Sequence, residues 1–497
     1  MAKTTEIEQY VILPPQGLRA KAAASDAAAF LRSTHDLTGV QQMSLDGRDV
    51  SLRVVDSIAP NGAKLVELSP EGALALKASR PDLRVVPVVY YEPAVVAPEH
   101  IEGGSGATRA AAAAGDLITI KVVSKKGSAP VPNAFVVAFV DFKARTGAQG
   151  VTDADGKVSL ALGATSIKLE RLYVYPLDAN WSLIKKAVTV KSGTVITVTP
   201  LDLGYTDGLR NFYGNAALTV GAGVSVAVID TGVAAHPDLV IAGGANTVPG
   251  EDPTDFGDNG KAHGTHVAGI VAARGTPPAG LRGVAPGVTL MAYRVFGKNQ
   301  GSATSFAIAK AIDSAVAAKC DLLNMSLGGG QPDPVLKAAV DDARAAGSLC
   351  IIAAGNGDRA PISSPAFADT ALAVSATGRK GTFPTSATSA DEVAAPYGTD
   401  KANFIARFSN VGPQMDLTGP GVGIMSTVPG SYAEISGTSM ACPAVTGAAA
   451  RAIAGSPLLK MKRDVKRSDA MVKAILLSAK PLGFGPTFEG HGLPNTG

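Results

Sequence analysis

Cysteine is scarce in this chain. Cys320, Cys350 and Cys442 are its three cysteines in 497 residues, too few and too scattered for a disulfide framework or a zinc site. An excess of either charge is also missing, with 45 Lys and Arg against 42 Asp and Glu. No basic face clusters, so nothing points to nucleic acid or an anionic membrane as partner. No uninterrupted apolar run reaches about 18 residues, which argues against a membrane span. The first residues, Met-Ala-Lys-Thr-Thr-Glu-Ile-Glu-Gln, lack the basic start and apolar core of a signal peptide. Localisation stays open between the cytoplasm and secretion with the signal absent from this chain.

Apolar material is plentiful. Hydrophobic residues make up 46% and charged residues 18%, the balance of a globular protein and not of a disordered one. The length suggests about three domains.

Residues 1–97 read as a small α+β unit. Tyr10-Val-Ile-Leu, Val50 to Asp56 and Leu83 to Tyr91 have strand patterning, and Ala22 to Leu31 is an alanine-rich helix. Ser69 and Pro70 supply the cap and first position of a second helix. Residues 98–116 turn to Gly, Ala, Ser and Pro and read as a linker. Residues 117–202 carry short strands separated by turn residues, the pattern of an antiparallel β-sandwich. Within them Asp153, Asp155 and Gly156 suggest a tight hairpin turn or, lacking the Glu that should follow, an incomplete calcium loop.

From 205 to 497 buried strands alternate with amphipathic helices, which predicts a doubly wound, mostly parallel α/β sheet. Ligands bind such sheets beyond the carboxyl ends of the strands. Asp230, the run Ser326-Leu-Gly-Gly-Gly330 and Asn356 all fall there.

Four stretches carry chemistry. Gly437-Thr-Ser-Met-Ala-Cys-Pro443 precedes a run of small residues. Proline belongs in the first turn of a helix, so Pro443 sets a helix start near Ser439. A hydroxyl there is usually an N-cap. With a base, an orienting acid and an oxyanion donor elsewhere in the chain it becomes a candidate nucleophile. Asp230, in Ile-Asp-Thr-Gly, can orient a histidine. The same triplet marks aspartic proteases, which need a second carboxylate, and no second copy of it exists. His263 and His266 stand three apart with Gly264 beside the first, unlike the zinc-hydrolase spacing. No metal is expected. A histidine, ordinarily titrating near 6.5, can take a serine's proton at neutral pH. Asn356, in Ala-Gly-Asn-Gly, is either a turn residue or a side-chain oxyanion donor. Ser326, Leu327 and Gly328 offer a strand to which an extended peptide can add. Cys442 reads as a packed small residue or as an alternative thiol nucleophile.

Ile229-Asp-Thr-Gly, His263-Gly-Thr-His-Val-Ala-Gly, Ala354-Gly-Asn and Gly437-Thr-Ser-Met-Ala-Cys-Pro stand in the order Asp, His, Asn, Ser. From about 205 to the end the chain resembles the subtilisin family of serine endopeptidases. The resemblance implies a triad of Asp230, His263 and Ser439, with Asn356 as oxyanion residue. It places the substrate strand at Ser326, Leu327 and Gly328, facing a wall of Ala353, Ala354 and Gly355. It also implies protein or peptide substrates, apolar or aromatic residues before the cut, and residues 1–97 as an inhibitory propeptide. The full chain is then expected to be inactive until cut, by itself, between Ala94 and Asp116. No cofactor is required. Structural calcium, frequent in the family, finds no carboxylate or amide in the loop Arg274 to Leu281, which leaves Asp238, in His-Pro-Asp-Leu, as a single candidate ligand. Residues 379–403 look like an insertion. The rival reading is an inactive binding protein on the same scaffold, with the sandwich as its working module.

Overall fold

The computed structural model describes residues 7–21, 25–35, 37, 39–45, 48–101, 117–125, 127–329 and 331–495. The first unit is a five-stranded antiparallel sheet in the order Val40–Leu45, Arg48–Ser57, Lys64–Leu68, Glu8–Leu13, Arg84–Pro87. Successive side chains of a strand face opposite sides. Tyr10 and Ile12 accordingly pack with Phe30, Leu31 and Leu76 of the two helices, Asp26–Ser33 and Pro70–Ser79. Val11 and Leu13 join Leu336 and Ala339 of the third unit in a second core. The first helix starts later than its alanines suggested. Ser25 caps it by accepting from the Ala28 N–H, and residues 22–24 lie outside the described residues.

The stretch Leu83 to Tyr91 is not one strand. Arg84–Pro87 closes the first sheet, whereas Tyr90–Pro93 belongs to another, between Ala303–Thr304 and Leu327–Gly328. Val88 donates to the Gln9 carbonyl, while Val89 exchanges bonds with Ser305. The chain therefore changes partner between two adjacent valines, which patterning alone cannot reveal.

The second unit encloses one apolar core between two sheets. Lys157–Ala161, Leu117–Ser124 and Val195–Val198 form the first, and Leu183–Lys191, Ser166–Tyr175, Phe135–Asp141 and Thr146–Val151 the other. Val195–Val198 runs parallel to Leu117–Ser124, so the unit is not wholly antiparallel. Asp153 Oδ1 accepts the Asp155 and Lys157 N–H groups. This turn passes from one sheet to the other, so it is no hairpin. Trp181 leaves the unit to enter the main core of the third.

In the third unit the strands run in the order Ile241–Asn246, Thr289–Arg294, Ser225–Asp230, Leu322–Met325, Leu349–Ala353, Leu372–Arg379, Asn403–Ile405. All pair in parallel except the last. This is the doubly wound α/β arrangement. Along Ser225–Asp230, Val226 and Val228 face the helices His263–Ala272 and Thr438–Ile453, while Ala227 and Ile229 face Ser305–Ala317 and Pro334–Ala345. Burial on both faces explains the continuous apolar run. No helix among the described residues is long and apolar enough to cross a membrane.

Candidate active site

Asp230 ends its strand and is buried, and His263 opens the next helix. Gly264 allows their approach, because a side chain there would collide with the Gly232 carbonyl and lie 3.2 Å from Asp230. Thr231 Oγ1 accepts the Gly264 N–H at 2.8 Å and ties the helix start to the strand end. Asp230 Oδ1 then lies 2.7 Å from His263 Nδ1. A carboxylate at that distance keeps the Nδ1 proton in place and leaves the Nε2 lone pair free. Nε2 is buried without a partner. The partner of Asp230 is thus an imidazole and not a second carboxylate, which disposes of the aspartic-protease geometry.

Ser439 is the second residue of the helix Thr438–Ile453. Pro443 sits farther inside that helix than the first turn, and its missing N–H would leave the Ser439 carbonyl unpaired. Ser326 Oγ supplies the missing donor at 2.9 Å. In return Ser439 Oγ donates to the Ser326 carbonyl at 2.8 Å. The hydroxyl is therefore parked on Ser326 and not bonded to His263.

Asn356 Oδ1 accepts both the N–H and the hydroxyl of Thr438, each at 2.9 Å. Its Nδ2 is buried and unpaired. An unsatisfied buried donor is costly and marks a place for an incoming acceptor. Thr438, which orients this amide, was not singled out from the sequence. A lone Thr before a candidate nucleophile carries no distinguishing signal.

The chain itself lies along the edge strand Leu327–Gly328. Tyr90–Pro93 adds as an antiparallel strand to Leu327–Gly328, with Leu327 opposite Pro93 and Gly328 opposite Glu92. The Ala94 N–H donates to the Ser326 carbonyl at 3.1 Å, and the Ala94 carbonyl accepts the Ser439 N–H at 3.0 Å. Beyond it Val96 donates to the Ser436 carbonyl at 2.9 Å. A side chain at Gly437 would lie 2.6 Å from the Ala94 carbonyl, so glycine is needed for this approach. Ala353, Ala354 and Gly355 bond within the third unit instead. The Ala354 carbonyl accepts from Ser363 and Asn410, and Gly355 donates to Thr438 Oγ1. Gly330 lies outside the described residues.

The remaining candidates have other employment. Cys442 is buried, its thiol points at Asn324 Oδ1 and the Ile351 carbonyl, and burial pushes its pKa up. Such a thiol is a poor nucleophile. Burial lowers the pKa of His266 to about 3, and its Nε2 lies between the Ile424 and Ala433 carbonyls. Asp238 accepts from the Leu281 N–H and the Tyr432 hydroxyl. The loop Arg274 to Leu281 thus wraps its carboxylate directly.

A buried Asp–His pair, a serine at a helix start and an amide whose NH2 is unpaired gather at the carboxyl ends of parallel strands, where acyl-transfer chemistry can be run. Residues 221–492 match the subtilase family. The chain is 42% identical over 237 residues to Subtilisin Savinase of Lederbergia lenta, covering 48% of this chain and 78% of that protein. It is 38% identical over 282 residues to Subtilisin DY of Bacillus licheniformis, covering 55% and 90% respectively. With an alkaline protease of Alkalihalobacillus alcalophilus it shares 42% identity over 237 residues, 48% of this chain and 55% of the relative. The chain belongs to the subtilase family and is a subtilisin-like serine protease.

Proposed function

We propose that the protein is a serine endopeptidase made as a self-inhibited precursor, and that it cuts its own chain between Ala94 and Val95. In this reading Ser439 Oγ leaves the Ser326 carbonyl, gives its proton to His263 Nε2 and attacks the scissile carbonyl. Asp230 stabilises the imidazolium that forms. The Ser439 N–H and Asn356 Nδ2 hold the oxyanion of the tetrahedral intermediate. Its collapse breaks the C–N bond, and His263 returns the proton to the departing amine. Water then hydrolyses the acyl-enzyme by the same steps. None of these steps calls for a metal or a cofactor.

One observation carries the reading, the Ala94 carbonyl on the Ser439 N–H with an added strand leading up to it. A peptide bound for cutting would have this register. The strand comes from residues 1–97, which makes that unit an intramolecular inhibitor, tethered at an effective concentration around millimolar. The substrates are proteins or peptides, and the seated Ala94 agrees with an apolar residue before the cut. The range 98–116 is then not linker throughout, since Ile101 is buried among aromatic residues of the second unit. Residues 102–116 lie outside the described residues.

A fluorophosphonate probe and N-terminal sequencing test the proposal together. The incubated wild-type chain should label at Ser439 and yield a new terminus at Val95, and the Ser439→Ala chain should do neither. A processed but unlabelled wild-type chain would favour the binding-protein reading. A Val95 terminus in the Ser439→Ala chain would assign the cut to another protease.

A further inference from the structure

Tyr91, three residues before Ala94, is completely buried although it ends in a hydroxyl. It belongs to the same buried apolar cluster as Phe306, Leu327 and Val335 of the third unit. The hydroxyl donates to Asp333 Oδ2 at 3.1 Å and lies 3.1 Å from Ser364 Oγ. A phenol has one proton. With that proton on Asp333, Ser364 must donate to the phenol oxygen. Asp333 cannot turn away, because its Oδ1 caps the helix Pro334–Ala345 by accepting the Val335 N–H at 2.8 Å. The pocket therefore ends in one fixed acceptor and one donor. Both belong to the third unit and stay with it when the first unit departs.

We propose that Asp333 and Ser364 form a hydroxyl-reading pocket that selects tyrosine over phenylalanine at the fourth residue before the cut. This deepens the proposed function and rests on it, since the register is taken from Ala94. Phenylalanine offers the same apolar ring but deprives buried Asp333 Oδ2 and Ser364 Oγ of the hydroxyl they bond. A site built to bond a hydroxyl rejects the analogue lacking it more strongly than an apolar pocket rejects an extra hydroxyl. Discrimination of roughly ten- to hundredfold is expected from one neutral and one charged hydrogen bond.

The test compares Tyr-Glu-Pro-Ala and Phe-Glu-Pro-Ala p-nitroanilides on the protein after it has been cut at Ala94. The tyrosine peptide should have the higher kcat/KM by at least about tenfold, and Ser364→Ala should erode that ratio. Equal rates, or a ratio untouched by both Ser364→Ala and Asp333→Asn, would overturn the proposal. A second measurement needs no catalysis. In the uncut Ser439→Ala chain, Tyr91→Phe should speed amide hydrogen exchange of residues 90–92, and Ser364→Ala should add little to it. Independent effects of the two changes, or none from Tyr91→Phe, would also overturn the proposal. Failure of fluorophosphonate labelling counts against the proposed function alone, because the exchange experiment still reads the pocket.

Discussion

The first and second units both lean on the third, but by different means. The first shares an apolar core with it through Val11, Leu13 and Leu18, and adds its last strand to Leu327–Gly328. Polar ties surround that core: Lys310 to Asp56, Arg19 to Asp313, and Asp342 accepting the Leu18 N–H. The second unit is held largely by polar contacts to residues 379–403 and to the strand that leads to Ser439. Ser182 bonds Thr388 and Glu434, Ile184 donates to the Ser386 carbonyl, and Lys186 pairs with Asp391. Trp181 is its one deeply seated apolar anchor there among the described residues. The apparent insertion thus serves as a landing surface. A cut after Ala94 would sever the first unit from the rest and leave the second joined through residues 199–207. The unit with the larger apolar contact is the one that loses its tether.

Removing the proposed nucleophile should abolish this contrast. Ser439→Ala is expected to lower turnover about 10⁶-fold and to keep both units covalently attached, with His263→Ala adding little in the double variant. That magnitude was established on subtilisin itself, a relative. Peptide turnover and gel analysis of the incubated chain check both statements, and multiplicative losses would break the idea of a single working unit. Asn356→Ala should cost roughly 10²- to 10³-fold in kcat, again a value known from subtilisin, and should delay release of the first unit in proportion.

Smaller changes probe the two attachments separately. Lys310→Ala removes the partner of Asp56 from the third unit, and retention of the cut first unit should weaken about fivefold, measured by size exclusion at low concentration. The second unit should be unaffected. Burial raises the pKa of Glu392, which lies in the landing segment Thr388–Glu392. Its folded state holds the proton more firmly than the unfolded chain does. This contribution to stability is therefore present at low pH and is lost as pH rises through the folded pKa. Glu392→Gln should raise the melting temperature of the Ser439→Ala chain by about 1–2 °C at pH 8, and by less at pH 4, in a calorimetric comparison. Lys186→Ala breaks an exposed pair and should change stability by less than about 0.5 kcal/mol. A large loss there would show that the second unit hangs on charge and not on Trp181.

Much of the third unit could be read directly because its signals are local. Apolar runs such as Val226 to Ile229, caps such as Asp333 before Pro334, and the four short stretches around Asp230, His263, Asn356 and Ser439 each need only a few neighbouring residues. The features that escaped depend on distant partners. Val88 and Val89 look alike in sequence, yet one bonds Gln9 and the other Ser305. Thr146–Val151 has too many glycines and polar residues to announce itself as a strand, and it forms by pairing with Phe135–Asp141.

By itself the sequence determined which chemistry the chain carries and on what kind of sheet, because residue identity and hydrophobic period are properties of the chain alone. Tertiary structure decided where that chemistry stands at rest. Ser439 Oγ lies on the Ser326 carbonyl because Pro443 frees a carbonyl that Ser326 Oγ comes to satisfy. Ala94 meets the Ser439 N–H because Gly437 leaves room and the first unit's core sets the reach of its last strand. Tyr91 is buried because Asp333 and Ser364, far away in sequence, give its hydroxyl partners. Each of these arrangements is a balance of packing and hydrogen bonding among groups that only folding brings together, and no local pattern encodes it.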